Sequence, residues 1–137
     1  MTLELQEKKA ISEIRMEKAY KYLQDAKANL SEGRHETSAN RSYYAVLNAV
    51  RSILILTGAD PESHRGAITM LSLRLIKPHV LPKDYVKKFE ILLSRRTDVD
   101  YGDFDTVDIA DAEDSLKIAD KMIEGIDKAR KEMLKSL

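Results

Sequence analysis

Between Ala39 and Leu56 the chain places Ala39, Tyr43, Tyr44, Val46, Leu47, Val50, Ile53, Leu54 and Leu56 around a helix whose apolar surface, beyond its first turns, wraps most of the way round. A helix of that kind cannot lie on a surface: it sits in the middle of a bundle or under a dimer interface. This segment, at about residues 36–57, therefore demands partners on several sides, and the rest of the chain supplies them. Residues 3–32 carry Ala10 or Ile11, Ile14, Ala19, Tyr22 or Leu23, Ala26 and Leu30 on one face, ending at Ser31-Glu32-Gly33, where Gly33 can take the left-handed position. Gly58 stops the apolar helix, and Ser63 or Asp60 is available to cap a shorter one over residues 64–76 that buries Ile68, Leu71 and Leu75. Two prolines in Lys77-Pro78-His79-Val80-Leu81-Pro82 break it. A fourth helix over Lys83 to Arg96 turns Val86, Phe89 and Leu93 inward, and a fifth, over residues 107–135, repeats Ile109, Ala112, Leu116, Ala119, Ile123, Ile126 and Met133. Thr97 to Thr106, reading TDVDYGDFDT, shows no helical period and is not assigned to a helix. Strand alternation is nearly absent. The expectation is an all-α, up-and-down four-helix bundle with an additional short helix, five helices in a single domain spanning residues 1–137.

Composition narrows the chemistry. The 137 residues contain 23 Lys+Arg and 23 Asp+Glu, so indiscriminate capture of nucleic acid or anionic membrane, which needs a net basic surface, is not expected. With no cysteine there is no disulfide, thiolate or Cys-based metal site. The charged start of the chain does not read as a signal peptide, and no apolar run approaches the roughly 18–20 residues of a membrane span. A cytoplasmic protein without membrane contact or cofactor is expected.

The zero sum hides a partition. From Glu62 to Arg96 eight basic residues face three acids, whereas from Thr97 to Asp114 there are eight acids and no base. Acids at 108–114 suit the first turn of a helix. Nothing equally simple explains Arg95-Arg96 followed at once by Asp98, Asp100, Asp103 and Asp105. Asp98-Val99-Asp100 begins like a calcium loop, but glycine comes one place early and Ile109 stands where the bidentate Glu belongs, so no metal site is assigned.

Neither GxSxG nor a phosphate-binding glycine loop occurs, and His35, His64 and His79 are scattered rather than paired at zinc-ligand spacing. Two segments stand out from generic bundle sequence. In Ala39-Asn40-Arg41-Ser42-Tyr43-Tyr44, the polar Asn40, Arg41 and Tyr44 interrupt an apolar helix, and a buried guanidinium there needs an acid or a ligand phosphate. In Arg95-Arg96-Thr97-Asp98-Val99-Asp100-Tyr101, an arginine pair at a helix end adjoins acids and a phenol. The structural reading joins the two by an ion pair from Arg41 to Asp100 or Asp98. The functional reading makes them an Arg- and Tyr-lined pocket for a phosphate or a stacked base.

These residues resemble the HEPN domain family, in particular its archaeal and bacterial branch of small stand-alone proteins, over roughly Ala26 to Ala129. NRSYYAVLNAVRSILILTG is similar to the family's Arg-Tyr-Tyr-Ala helix, and Ser63-His64-Arg65-Gly66 to its Ser/Asn-His-Arg/Ser-Gly helix start. Arg96 to Tyr101 resembles an Arg-x-x-Ala-Asp-Tyr signature, with Val99 in the alanine's place. The resemblance implies a helical homodimer, often encoded beside a minimal nucleotidyltransferase with which it assembles. Many members are metal-independent ribonucleases, some acting as toxins of toxin–antitoxin pairs, with an RxxxxH-type active site completed across the dimer. There His handles a proton during 2′-hydroxyl attack and Arg stabilises the phosphorane.

This chain departs from that pattern. Asp100 and Tyr101 stand five residues after Arg95 and Arg96, and no His follows His79. The one literal RxxxxH, Arg74 to His79, is interrupted by Pro78 and reads as coincidence. His64 is expected to cap the third helix, with recruitment to a site as the alternative. The candidate phosphate- or nucleotide-binding residues are Arg41, Tyr44, Arg95 and Arg96, and the candidate catalytic ones Arg96, Asp100, Tyr101 and His64. Three readings stay open: a homodimer that binds nucleotide or RNA and pairs with a nucleotidyltransferase, a ribonuclease with a variant site, and a helical scaffold whose Arg–Asp contacts are structural only.

Overall fold

The computed structural model describes residues 3–102 and 106–137; Met1 and Thr2, and Asp103, Phe104 and Asp105 of the Asp-rich stretch, lie outside the described residues. Helix α1 spans Leu5–Ser31, α2 His35–Leu54, α3 His64–Leu71, α4 Asp84–Tyr101 and α5 Ile109–Lys135, with no strand among the described residues. Gly33 (φ 81°) and Gly58 (φ 90°) take left-handed conformations at the ends of the first two helical segments, which glycine adopts without the Cβ clash. A 3₁₀ turn, Ile55–Thr57, tightens the end of α2. Ser63 caps α3, its hydroxyl accepting from the Gly66 amide at 2.9 Å. A π turn at Ser72–Ile76 leads from α3 into the two-proline connection. Asp108 and Asp111 cap α5 reciprocally, with amide–carboxylate distances of 2.8 and 3.2 Å.

The four long helices run up, down, up and down, with α3 inserted between α2 and α4. The directions follow from paired contacts whose numbers run oppositely: Asp25–Arg41 and Arg15–Arg51 across α1 and α2, Tyr44–Arg96 and Asn40–Asp100 across α2 and α4, and Arg95–Asp114 and Tyr85–Gly125 across α4 and α5. Helix α2 touches α1, α4 and α5, so its apolar surface is covered within one chain. Tyr43, Val46, Val50, Ile53 and Leu54 are fully buried there with Phe89, Leu92, Met122, Ile123 and Ile126. Of the two places open to so apolar a helix, the structure shows the middle of the bundle.

Three details differ from the expectation. Helix α4 runs five residues past Arg96, because tertiary contacts to α2 and within the last turn hold a segment whose composition disfavours helix: Val99 packs with Ala39, Val107 and Ala112 in a satellite core, and Asp100 pairs with Arg96 one turn back. On α1 the buried stripe is Ser12, Met16, Ala19, Leu23 and Ala26, and Ile14 is 54% exposed. Two residues from Ser12 and from Met16, Ile14 lies about 200° round the helix from that stripe and so faces away from the contact line. Ile109 in the first turn of α5 is likewise exposed, and on α4 Phe89 is fully buried as expected but with Leu92 rather than Leu93 beside it.

The far end of the bundle holds a second polar feature. Arg130 on α5, 4% exposed, pairs with Asp127 at 3.2 Å and Glu13 at 3.2 Å, and Tyr20 on α1 donates to Asp127 at 2.7 Å. Burial alone would raise the Asp127 carboxyl, but the Tyr20 hydrogen bond and the Arg130 charge hold it below the ordinary carboxylate range. The same contact, together with burial, raises the Tyr20 phenol to about 12. Arg130→Ala takes the guanidinium from a buried carboxylate that keeps Tyr20 and the exposed Lys131, and should cost about 3 kcal/mol in urea unfolding, the low end for a broken buried pair. Because the folded pKa of Asp127 is depressed, its stabilisation is complete above the unfolded value near 3.9 and disappears as pH falls through the folded value. Asp127→Asn should remove that acid limb from the stability profile.

Candidate functional site

The tail of α4 meets α2 and α3 at one end of the bundle. Arg96, on the α4 face turned toward α2, donates from NH2 to the Tyr44 hydroxyl at 2.8 Å. Its Nε lies 2.9 Å from Asp100 Oδ2, an ion pair by distance whose angle makes no hydrogen bond, so this buried N–H has no acceptor among the described residues. Three phenol rings surround the guanidinium, with its central carbon 6.0 Å from the Tyr43 ring centre, 5.4 Å from Tyr44 and 5.6 Å from Tyr101. Burial pulls the Arg96 pKa down, but the Tyr44 hydrogen bond and the negative charge of Asp100 outweigh it and hold the value above that of ordinary arginine. The cation is therefore permanent. Tyr101, at the end of α4, is 72% exposed and forms the solvent face of the cluster.

A chain of side chains extends from this point in two directions. Toward α1, Asn40 donates to Asp100 Oδ1 at 3.1 Å and accepts from Arg41 NH1 at 2.6 Å, while Arg41 Nε donates to Asp25 Oδ2 at 2.8 Å. Toward α3, Tyr43 lies between Arg96 and His64, its hydroxyl hydrogen-bonded to His64 Nδ1. Tyr43 is buried and burial holds its pKa far above the ordinary phenol value, so it keeps its proton; with no other acceptor among the described residues, that proton is assigned to Nδ1. His64 thus carries its own proton on Nε2. Burial, and then the charge of Arg96, lower the His64 pKa, which keeps the imidazole neutral at pH 7.

The structure brings together Arg96, Asp100, Tyr44 and Tyr101, with His64 reached through Tyr43 and Arg41 through Asn40. It does not bring in Arg95. That side chain turns to α5, where NH1 donates to Asp114 at 2.8 Å and Ser115 at 3.1 Å and NH2 lies 3.7 Å from Asp111. Two further expectations are corrected. The acid that pairs Arg41 is Asp25 on α1 rather than Asp100 or Asp98, because the antiparallel α1–α2 register sets those residues opposite each other. Of the residues expected to cap α3, Ser63 does so and His64 does not, occupying instead the next position with its ring against Tyr43. Asp103 and Asp105 lie outside the described residues. Asp25 had no marker in the sequence, being an ordinary surface acid, while Tyr43 lay within the Arg-Tyr-Tyr-Ala-like run but was read only as an apolar position of the helix.

The literal RxxxxH has structural work elsewhere. Arg74 NH1 donates to the Thr57 carbonyl at 2.9 Å, and His79 turns the two-proline connection with φ 62°. Among the described residues no group of three His, Asp or Glu could hold a metal ion, and no helix is long and apolar enough to cross a membrane.

Replacing Arg96 by Gln should raise the His64 pKa toward the ordinary histidine value, read by NMR titration of the ring, because the nearby positive charge is lost. For the unaltered protein the His64 contribution to stability is complete above about 6.5 and is lost as pH falls from there through the lower folded value. His64→Gln should flatten that part of the profile.

A family model described as the HEPN domain matches residues 12–129. The chain is 26% identical over 124 residues to a UPF0332 protein of Thermotoga maritima, covering 90% of this chain and 94% of the relative. It is 37% identical over 59 residues to a UPF0332 protein of Archaeoglobus fulgidus, covering 43% of this chain and 47% of that one. A UPF0332 protein of Pyrococcus horikoshii is 33% identical over 58 residues, or 42% of this chain and 41% of the relative.

Proposed function

The chain belongs to the HEPN domain family, and from that premise we propose that it is a homodimeric protein that binds a nucleotide or RNA phosphate at Arg96 and works in a toxin–antitoxin-like complex with a minimal nucleotidyltransferase. The observation that carries the binding half is the state of Arg96: a permanent cation fixed by Tyr44 and Asp100, ringed by three phenols, with the exposed Tyr101 over it. A planar guanidinium held in this way suits a phosphate, and an exposed phenol beside it suits a stacked base. The zero net charge of the chain fits local rather than indiscriminate recognition.

Asp100 neutralises part of the Arg96 charge, so the site would hold one phosphate group rather than a polyanionic backbone by charge alone. The dimer and the nucleotidyltransferase rest on the family relationship. Light scattering after size exclusion should give twice the chain mass at micromolar concentration, and a monomer would remove the dimer from the proposal. Titration of AMP and of a short single-stranded RNA by calorimetry or anisotropy should show binding that Arg96→Ala weakens at least tenfold, about 1.4 kcal/mol. Equal affinity in the two proteins would refute Arg96 as the binding residue.

A second reading is favoured by His64, whose ring packs against Tyr43 as the Arg96 guanidinium does. In a ribonuclease, His64 would take the proton of an attacking 2′-hydroxyl at Nδ1 after exchanging its Tyr43 hydrogen bond for the substrate, while Arg96 stabilised the phosphorane. Incubation of the pure protein with tRNA and mRNA decides it: cleavage lost in both His64→Ala and Arg96→Ala supports the enzyme, and cleavage indifferent to both sinks it.

A further inference from the structure

The seam between α1 and α2 leads away from the Arg96 cluster as a ladder of facing residues: Asp25 opposite Arg41, Tyr22 opposite Tyr44, Lys18 beside Asn48, and Arg15 against the Arg51 carbonyl. In the middle of this ladder lies an open groove of about 400 Å³ lined by Lys18, Lys21, Tyr22, Asp25 and Asn48. On α1 the positions 18, 21, 22 and 25 fall at i, i+3, i+4 and i+7, so one face presents all four to the groove. Asp25 is held by Arg41, and the Asn48 amide nitrogen donates to the Tyr44 carbonyl at 2.9 Å, which leaves the Asn48 side-chain oxygen facing the groove without a donor among the described residues. Lys18 and Lys21 have neither an ion pair nor a hydrogen bond among the described residues.

The groove adjoins the site already described through the Tyr22 and Tyr44 rings. The Tyr22 and Tyr44 ring centres are 5.9 Å apart, and the Arg96 guanidinium is 5.4 Å from Tyr44. Two cations, a half-buried phenol and an amide oxygen therefore sit one aromatic step from a cation with its own exposed phenol. That alternation of positive charge and aromatic faces is what a single strand needs, because its phosphates take the charges and its bases stack on the rings.

We propose that the α1–α2 groove is a second nucleotide subsite, in which Lys18 and Lys21 take the phosphate and Tyr22 the base of the nucleotide adjoining the one held at Arg96, so that the preferred ligand is single-stranded RNA rather than a free mononucleotide. The inference rests on the proposed phosphate site at Arg96. Asn48 contributes an acceptor for a base amino group, which adenine, cytosine and guanine carry and uracil does not. Arg41, engaged by Asp25 and Asn40, braces the seam and is not a phosphate ligand in this arrangement.

The test compares a fluorescein-labelled hexa-adenylate RNA with AMP on three full-length proteins: unaltered, Lys18→Glu/Lys21→Glu, and Arg96→Ala. The lysine pair is exposed and outside the core, so folding is preserved, and circular dichroism checks it. The expected result is that the double variant loses at least tenfold in hexanucleotide affinity, with a salt dependence shallower by about 1.4 in the logarithmic slope, for two phosphate contacts at about 0.7 each. Its AMP affinity stays unchanged, while Arg96→Ala weakens both ligands. Unaltered hexanucleotide binding by the double variant, with Arg96→Ala still impaired, overturns the groove and leaves the Arg96 site standing. Hexanucleotide binding that depends on the lysines but not on Arg96 overturns the Arg96 site and the two-subsite proposal, leaving the groove as a site of its own. Absence of binding by the unaltered protein overturns both.

Discussion

Everything in this bundle is arranged around a helix that has almost no surface to give to water. Helix α2 meets α1, α4 and α5, and its buried Tyr43, Val46, Val50 and Ile53 contribute about 1.5–3 kcal/mol each for a large side chain removed from solvent. Such a helix has few positions to spare for polar groups, so those it carries must be matched by groups on its neighbours. Asn40, Arg41 and Tyr44 are matched by Asp100, Asp25 and Arg96, contributed by α4, α1 and α4. The site exists because the most buried helix of the fold begins with a polar turn that three other residues must satisfy.

Adjacent arginines show how this selection works. Arg95 and Arg96 differ by one step of about 100° around α4, and that step sends one to α5 and the other to α2. Arg95 finds Asp111 and Asp114 in the first turns of α5, where acids also complement the helix dipole, so it ties the end of α4 to the start of α5. Arg96 finds one carboxylate and three phenols. A carboxylate pair neutralises its guanidinium, whereas phenols attract it while leaving a formal charge able to meet an anion. The chemistry of the neighbours, rather than the presence of arginine, separates the structural residue from the functional candidate.

Much of this was legible in the sequence. The all-α class, the five segments and the glycines that end α1 and α2 follow from period and punctuation, because those signals are local. The stretch Thr97–Tyr101 was not, because its helix is held by contacts 52 and 60 residues away in sequence, from Arg96 to Tyr44 and from Asp100 to Asn40. Composition records local preference and is silent about such partners. The same limit explains Arg41. That it needed an acid was clear from its apolar surroundings, but the choice of Asp25 over Asp98 or Asp100 depends on the α1–α2 register, which no spacing within one helix reveals. Ile14 was misplaced because the buried stripe is set by Ser12, Met16, Ala19, Leu23 and Ala26, and two residues from Ser12 or Met16 is about 200° round the helix, which puts Ile14 on the opposite face.

The polar network also constrains what the site can do without unfolding. Asp25, Arg41, Asn40, Asp100 and Arg96 form one connected series, so an anion that displaced Asp100 from Arg96 would free the Asn40 amide and with it the acceptor that orients Arg41. Helix α4 ends one residue beyond Asp100, and its last turn depends on the same contact. A phosphate entering beside Tyr101 would therefore meet less resistance than one that replaces Asp100, because the first keeps the series intact and the second costs several charge-assisted hydrogen bonds at once. On that reasoning the unpartnered Nε of Arg96 is a consequence of the geometry: the carboxylate lies close enough to hold the charge and too far off line to use the donor. That N–H is itself buried and out of a ligand's reach, so a phosphate would be met by the 12% of the side chain that stays exposed, held in place by Tyr44 with little reorganisation.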